Sequence, residues 1–131
     1  MSTDIMGAAV KALRAAGITA KQKNLDSLTG EEGTVVRSWP QINTRYDMDM
    51  DEACDWIIAV TSRSRSEERA LDACTDAASA LAAADFESAD GSFTQNGRGY
   101  VYQEPQRLAI DAHGLFAWQA AVAIPITKES R

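Results

Sequence analysis

Histidine occurs once in this 131-residue chain, cysteine twice and proline three times. The lone histidine, His113, excludes a histidine-based metal cluster within one subunit. The first residues carry Asp4 and no apolar stretch ahead of a small-residue cleavage site. No signal peptide is read there, and a soluble protein made in a reducing cytoplasm is expected. In that setting Cys54 and Cys74 are expected to be small core groups rather than a disulfide pair. No apolar run approaches the ~18 residues that a membrane span needs. Excess positive charge is missing as well. The formal net charge is −6, which argues against unaided binding to DNA phosphates or to an anionic membrane surface.

Catalytic signatures are absent too. No Gly-x-Gly-x-x-Gly or Walker-type loop occurs, and Gly97-Arg98-Gly99 is too short to cradle a phosphate. No serine lies in a Gly-x-Ser-x-Gly elbow. The run Asp47-x-Asp49-x-Asp51 opens like a calcium loop, which needs Gly at its sixth position and a bidentate Glu at its twelfth. Here those positions hold Glu52 and Ile58, so the cluster from Asp47 to Asp55 reads as a solvated acidic turn. A looser carboxylate site for a divalent ion is the alternative. His113 precedes Gly114 and suits a turn, where histidine tolerates positive φ. A Cys–His nucleophilic pair is formally available, but core packing already explains both thiols. No catalytic, cofactor-binding or metal-ligating residue is assigned, and no enzyme is expected.

The apolar residues are more informative. At 45% hydrophobic and 24% charged, the composition is that of an ordinary globular protein. The length fits one domain spanning residues 1–131. Such a chain buries roughly two-thirds of its unfolded surface without help from disulfides or metals. The last third, Arg98 to Thr127, predicts two long strands closed by a turn at His113-Gly114. Phe116, Trp118, Ala120, Val122, Ile124 and Ile126 recur with period two, the mark of a strand with one buried side.

Upstream, Asp4 to Ala16 carries the i, i+3, i+4 rhythm of a helix, with Gly17 placed for its C-cap and Ile18 for the accompanying apolar contact. Lys21 to Gly33 reads as a polar loop with a short strand at its start. Thr34 to Tyr46 contains Pro40, which favours an edge strand or a bulge. Trp56 to Thr61 predicts an apolar strand. Ser64 with Glu67 predicts a capping box for an Ala-rich helix from Ser66 to Ala84, its stripe formed by Leu71, Cys74, Ala78 and Leu81. Asn96-Gly97 predicts a hairpin turn. Arg63, Arg65 and Arg69 read as a solvated strand end and first helical turn. Trp39, Trp56 and Trp118 with Tyr46, Tyr100 and Tyr102 read as core or subunit contacts rather than a base-stacking platform. The fold class expected is α+β: a mainly antiparallel sheet of about four strands with two helices on one face. Trp56, Ile58, Val60, Leu71, Leu81, Trp118, Val122 and Ile124 are expected to form its sheet–helix interface.

This layout resembles a family. It runs from an N-terminal helix through the irregular strand Val35-Val36-Arg37-Ser38-Trp39-Pro40 and an acidic turn. The strand Asp55-Trp56-Ile57-Ile58-Ala59-Val60 follows, then a helix opened by Ser66-Glu67-Glu68. A glycine-bearing loop and the final strand from Asp111 through Trp118 complete the series. In element order the chain resembles the tail-terminator (minor tail protein U-like) and tail-completion proteins of long-tailed bacteriophages. The resemblance implies a structural protein of the virion tail, assembled in the host cytoplasm as a ring of usually six subunits on the tail tube. Its implied partners are copies of itself, the tail tube protein and the head-completion (connector) protein, with DNA passing through the lumen without specific binding. The loops Asn24 to Gly33 and Asp85 to Gly99 would order against neighbours or the tube. The competing expectation is a small cytoplasmic ligand-binding or regulatory α+β module.

Overall fold

The computed structural model describes residues 5–18, 21–22, 33–46, 51–88, 91, 93–108 and 114–128. Helix α1 (Ile5–Ala15) turns Ile5, Met6, Ala9 and Leu13 inward. Gly17 ends it at a φ of 83°, a conformation that costs glycine nothing. The Gly17 N–H donates to the Arg14 carbonyl at 3.0 Å, and the Ile18 N–H donates to the Leu13 carbonyl at 2.8 Å. These are the two bonds of a Schellman cap, and Ile18 makes its apolar contact by packing on the core.

The second helix, α2 (Glu67–Ala83), has its N-cap two residues later than the capping-box expectation places it. Ser66 is the N-cap and accepts from the Arg69 N–H, whereas the Ser64 hydroxyl accepts from the Ser66 N–H. Glu67 is drawn away to Arg107, at 3.2 Å, so it does not reach back to close a box. The buried stripe is also rotated. Ala70, Cys74, Ala77, Ala78 and Leu81 face the sheet, and Leu71 is only half-buried at the flank. Two alanines carry the contact that a Leu71 stripe would have made, so the helix lies close to the strands.

The strands are β1 (Lys21–Gln22), β2 (Gly33–Tyr46), β3 (Glu52–Ser64), β4 (Phe93–Gln95), β5 (Tyr100–Arg107) and β6 (Phe116–Lys128). They form one sheet in the order β1-β2-β3-β6-β4, with β5 also paired to β6. Only the β1–β2 pairing is parallel. The long expected strands are β2, β3, β5 and β6, the two-residue β1 is the short strand expected at Lys21, and the three-residue β4 is added at the margin.

Pro40 has the effect foreseen for it. Register shifts flank Ile42, Asn43 takes a φ of 55°, and among the described residues β1 covers only Val35 and Val36, leaving the rest of β2 as an edge. Asn96-Gly97, in contrast, does not close a hairpin. Strands β4 and β5 both run antiparallel to β6 along the same edge, and the Asn96 N–H donates to the Pro125 carbonyl at 2.8 Å, so this dipeptide links two collinear segments. The predicted turn at His113 lies outside the described residues; Gly114, beside it, has a φ of 76°.

The main core lies between the helices and one sheet face, where Val36, Cys54, Ile58, Val60, Ala120, Val122, Ile124 and Ile126 meet both helices. Trp56 and Trp118 pack at its margins, half-buried. One expectation is corrected here: β6 is buried on both sides. Ala121 and Ala123 are fully buried on the opposite face, against Ile57, with Trp39 and Ile42 packed over them. Alanine conceals this in the sequence, because a period-two reading treats small residues as the solvent side.

Candidate functional site

Strand alternation decides which residues can act together. Cys54 lies in the helix-facing core, so Glu52 shares its side of β3 while Asp55 points to the other. The acidic cluster is therefore split between two faces. Asp47 and Asp49 lie outside the described residues. Among the described residues no three His, Cys, Asp or Glu side chains gather as a metal site.

Glu52 belongs to a strand-end network. Its Oε2 accepts from Lys128 Nζ at 2.8 Å and from Gln41 Nε2 at 3.2 Å, and its Oε1 accepts from the Tyr46 hydroxyl at 3.2 Å. Lys128 also donates to Gln41 Oε1 and stands 5.0 Å from the Trp56 ring centroid. The bond from Lys128, and after it the one from Gln41, holds the Glu52 carboxyl below its ordinary value of 4.5. A depressed pKa stabilises the fold above the unfolded-state value and loses that contribution as pH falls through the folded one. Glu52→Gln is accordingly expected to lower stability at pH 7 and to converge with the parent chain only as pH falls below 4.5 and through the lower folded value. The difference should not exceed about 1 kcal/mol, because the pair is partly solvated. Urea titrations across that pH range check it.

Asp55, on the other side, is the polar centre of the face that no helix covers among the described residues. It is buried, and its Oδ2 accepts from Asn43 Nδ2 at 2.9 Å and from the Tyr100 hydroxyl at 2.8 Å. One carboxylate thus ties the β2 bulge to β5 across β3 and β6. Burial, and then the bond to Asp55, raises the Tyr100 phenol above its ordinary value. Around this latch the face carries an alanine floor (Ala59, Ala121, Ala123) and the half-buried Trp39 and Ile42. Arg37 and Arg45, both exposed, stand at either end of that stretch of β2, opposite Ala59 and Ala53. The expectation of a solvated acidic turn fails at Asp55, which stands directly before the apolar run Trp56–Val60 and is buried within β3.

The remaining candidates are structural. Cys54 and Cys74 are buried and unbridged. Burial pushes the Cys54 thiol up and the Cys74 thiol up to about 12, and Cys74 Sγ faces the Val60 carbonyl at 3.9 Å. Protonated, buried thiols react slowly. Both are expected to resist a thiol reagent at pH 8 until denaturant is added; fast labelling of either in the folded protein would refute the assignment. Gly97-Arg98-Gly99 cradles nothing, for Gly99 is wedged against Ala82 of α2. His113 lies outside the described residues. An open cleft between the end of α2 and β4 has Phe86 and Phe93 in its lining. Its best-placed polar side chain, Gln95, is spent on the Phe86 N–H at 2.6 Å and the Gly97 carbonyl at 2.8 Å. Tyr46, Tyr100, Val101 and Tyr102 are exposed. No helix among the described residues is long and apolar enough to cross a membrane.

No protein-family model matches the chain, and no curated protein matches it. The fold, however, is similar to that of a chain in a solved structure titled "Virion of native gene transfer agent (GTA) particle". The likeness has a TM-score of 0.61 at 15% sequence identity, over 94% of this chain and 94% of that one.

Proposed function

We propose that this chain is a non-enzymatic structural subunit of a phage-like particle, acting as a tail terminator or tail-completion protein. The observation that carries the reading is the fold likeness to a chain of a gene transfer agent virion, end to end in both chains. The element order that resembles tail terminators supports the finer assignment: α1, the bulged β2, β3, α2 and the β5–β6 pair follow in that sequence. In this reading the subunits close as a hexameric ring on the end of the tail tube, stop its growth and offer a platform to the head-completion protein. The acidic balance of the chain keeps DNA phosphates from adhering as the genome passes through.

The test uses the purified full chain with purified tail tubes that lack their terminator. Ring-shaped particles and capped tube ends in negative stain, with tube length held constant during further polymerisation, are the expected result. A chain that stays monomeric and leaves tube growth unchanged would overturn the assignment.

A further inference from the structure

Two surfaces of the subunit complement each other in charge but face opposite ways. On the sheet face that carries no helix, Arg37 and Arg45 bracket the apolar pair Trp39 and Ile42. The arginines stand opposite Ala59 and Ala53, six steps apart on β3 because the bulges shorten β2, roughly 20 Å. On the far side of the molecule the outer surface of α2 exposes Glu68, Asp72 and Asp76, and the segment after it exposes Asp85 and Glu87. From Glu68 to Asp85 this acidic line runs about 25 Å, enough to reach both arginines. Beside these acids the helix also exposes Arg69 at its first turn, and farther along Thr75, Ser79 and Ala83, small side chains that leave room for a bulky apolar pair to approach.

We infer that the helix-free sheet face of one subunit receives the outer face of α2 from a second copy of the same chain. The two surfaces lie on opposite sides of the sheet–helix sandwich, so the contact is head to tail. Contacts of that kind close into rings when the rotation per subunit allows. This inference deepens the ring reading above and rests on it: it names the surfaces by which neighbours meet. The arginines would pair with the acids at the rim, and Trp39 and Ile42 would lose their remaining exposure in the middle.

Charge reversal tests it on the full chain. One variant carries Arg37→Glu and Arg45→Glu, the other Glu68→Lys, Asp72→Lys and Asp76→Lys; circular dichroism checks that each folds. Alone, each sets like charges face to face, and sedimentation should show association, free or on tail tubes, weakened at least tenfold. Mixed in equal amounts they should assemble again, because each reversed helix meets a reversed sheet and each unaltered helix meets an unaltered one. Wild-type assembly should also weaken as salt is raised from about 0.05 to 0.5 M, where charge pairs are screened. Folded variants that assemble like wild type, a mixture that stays dissociated, or salt-independent assembly would each overturn the docking assignment while leaving the ring reading intact. A wild-type chain that never associates would overturn the ring reading, and this one with it.

Discussion

Replacing Leu81 by alanine is expected to destabilise the fold by about 2–5 kcal/mol, the range for emptying a packed aliphatic site. Leu81 is fully buried on the inner stripe of α2. Its companions there, Ala70, Cys74, Ala77 and Ala78, are all small, so it is the single large side chain the helix sends into the core. Neighbouring alanines cannot stretch to fill the space it would vacate, which places the change toward the costly end of the range. Urea unfolding followed by circular dichroism measures it, with Leu71→Ala as the matched control. Leu71 is half-buried at the flank and should lose much less. Equal losses at the two sites would mean that the helix face is wrongly assigned.

Gly99→Val should be the next most damaging change, at about 1–3 kcal/mol, through overpacking rather than a void. A Cβ at this position would stand 2.7 Å from Ile124 Cδ1, 3.1 Å from the Ala82 carbonyl oxygen and 3.2 Å from Ala82 Cα. The isoleucine terminus can rotate away. The backbone of α2 cannot move without shifting the whole helix on the sheet. Gly97→Ala is the control two residues earlier, where the nearest atom is a proline side-chain carbon at 3.8 Å and almost nothing should change. Thermal unfolding of both variants gives the comparison. A neutral Gly99→Val would show that β5 can stand off from α2.

Much of this architecture was legible from the residues, for identifiable reasons. The α1 cap was readable because Gly17 and Ile18 impose a local geometry that needs no tertiary partner. Pro40 announced the edge and the bulge because a missing N–H has the same consequence in any sheet. What escaped the sequence depends on partners far along the chain. Leu71 loses its place because Ala77 lets α2 sit rotated and close. Ser64 and Glu67 match a capping box in spacing, but Arg107, forty residues on, competes for the glutamate. Ala121 and Ala123 conceal a second buried face. Asn96-Gly97 reads as a turn until β6 proves long enough to hold β4 and β5 end to end. The latch of Asn43, Asp55 and Tyr100 joins three strands, and only the register brings those residues together.

The position of β6 governs when this protein can exist as a folded object. It is the strand on which β3, β4 and β5 all pair, yet it is made after every one of them. During synthesis the chain emerges with α2 and β3 complete and nothing on the far edge of β3 to close the sheet. Ile57, Ile58 and Val60 then wait in an unfinished core while translation continues. Pairing β3 with β6 spans a long separation, a slow step that leaves apolar surface exposed in the meantime. A ribosome that stalls before Phe116 releases a chain with no sheet centre, fit for proteolysis. Only copies translated through β6 can close the sheet, so the topology itself screens them for that strand.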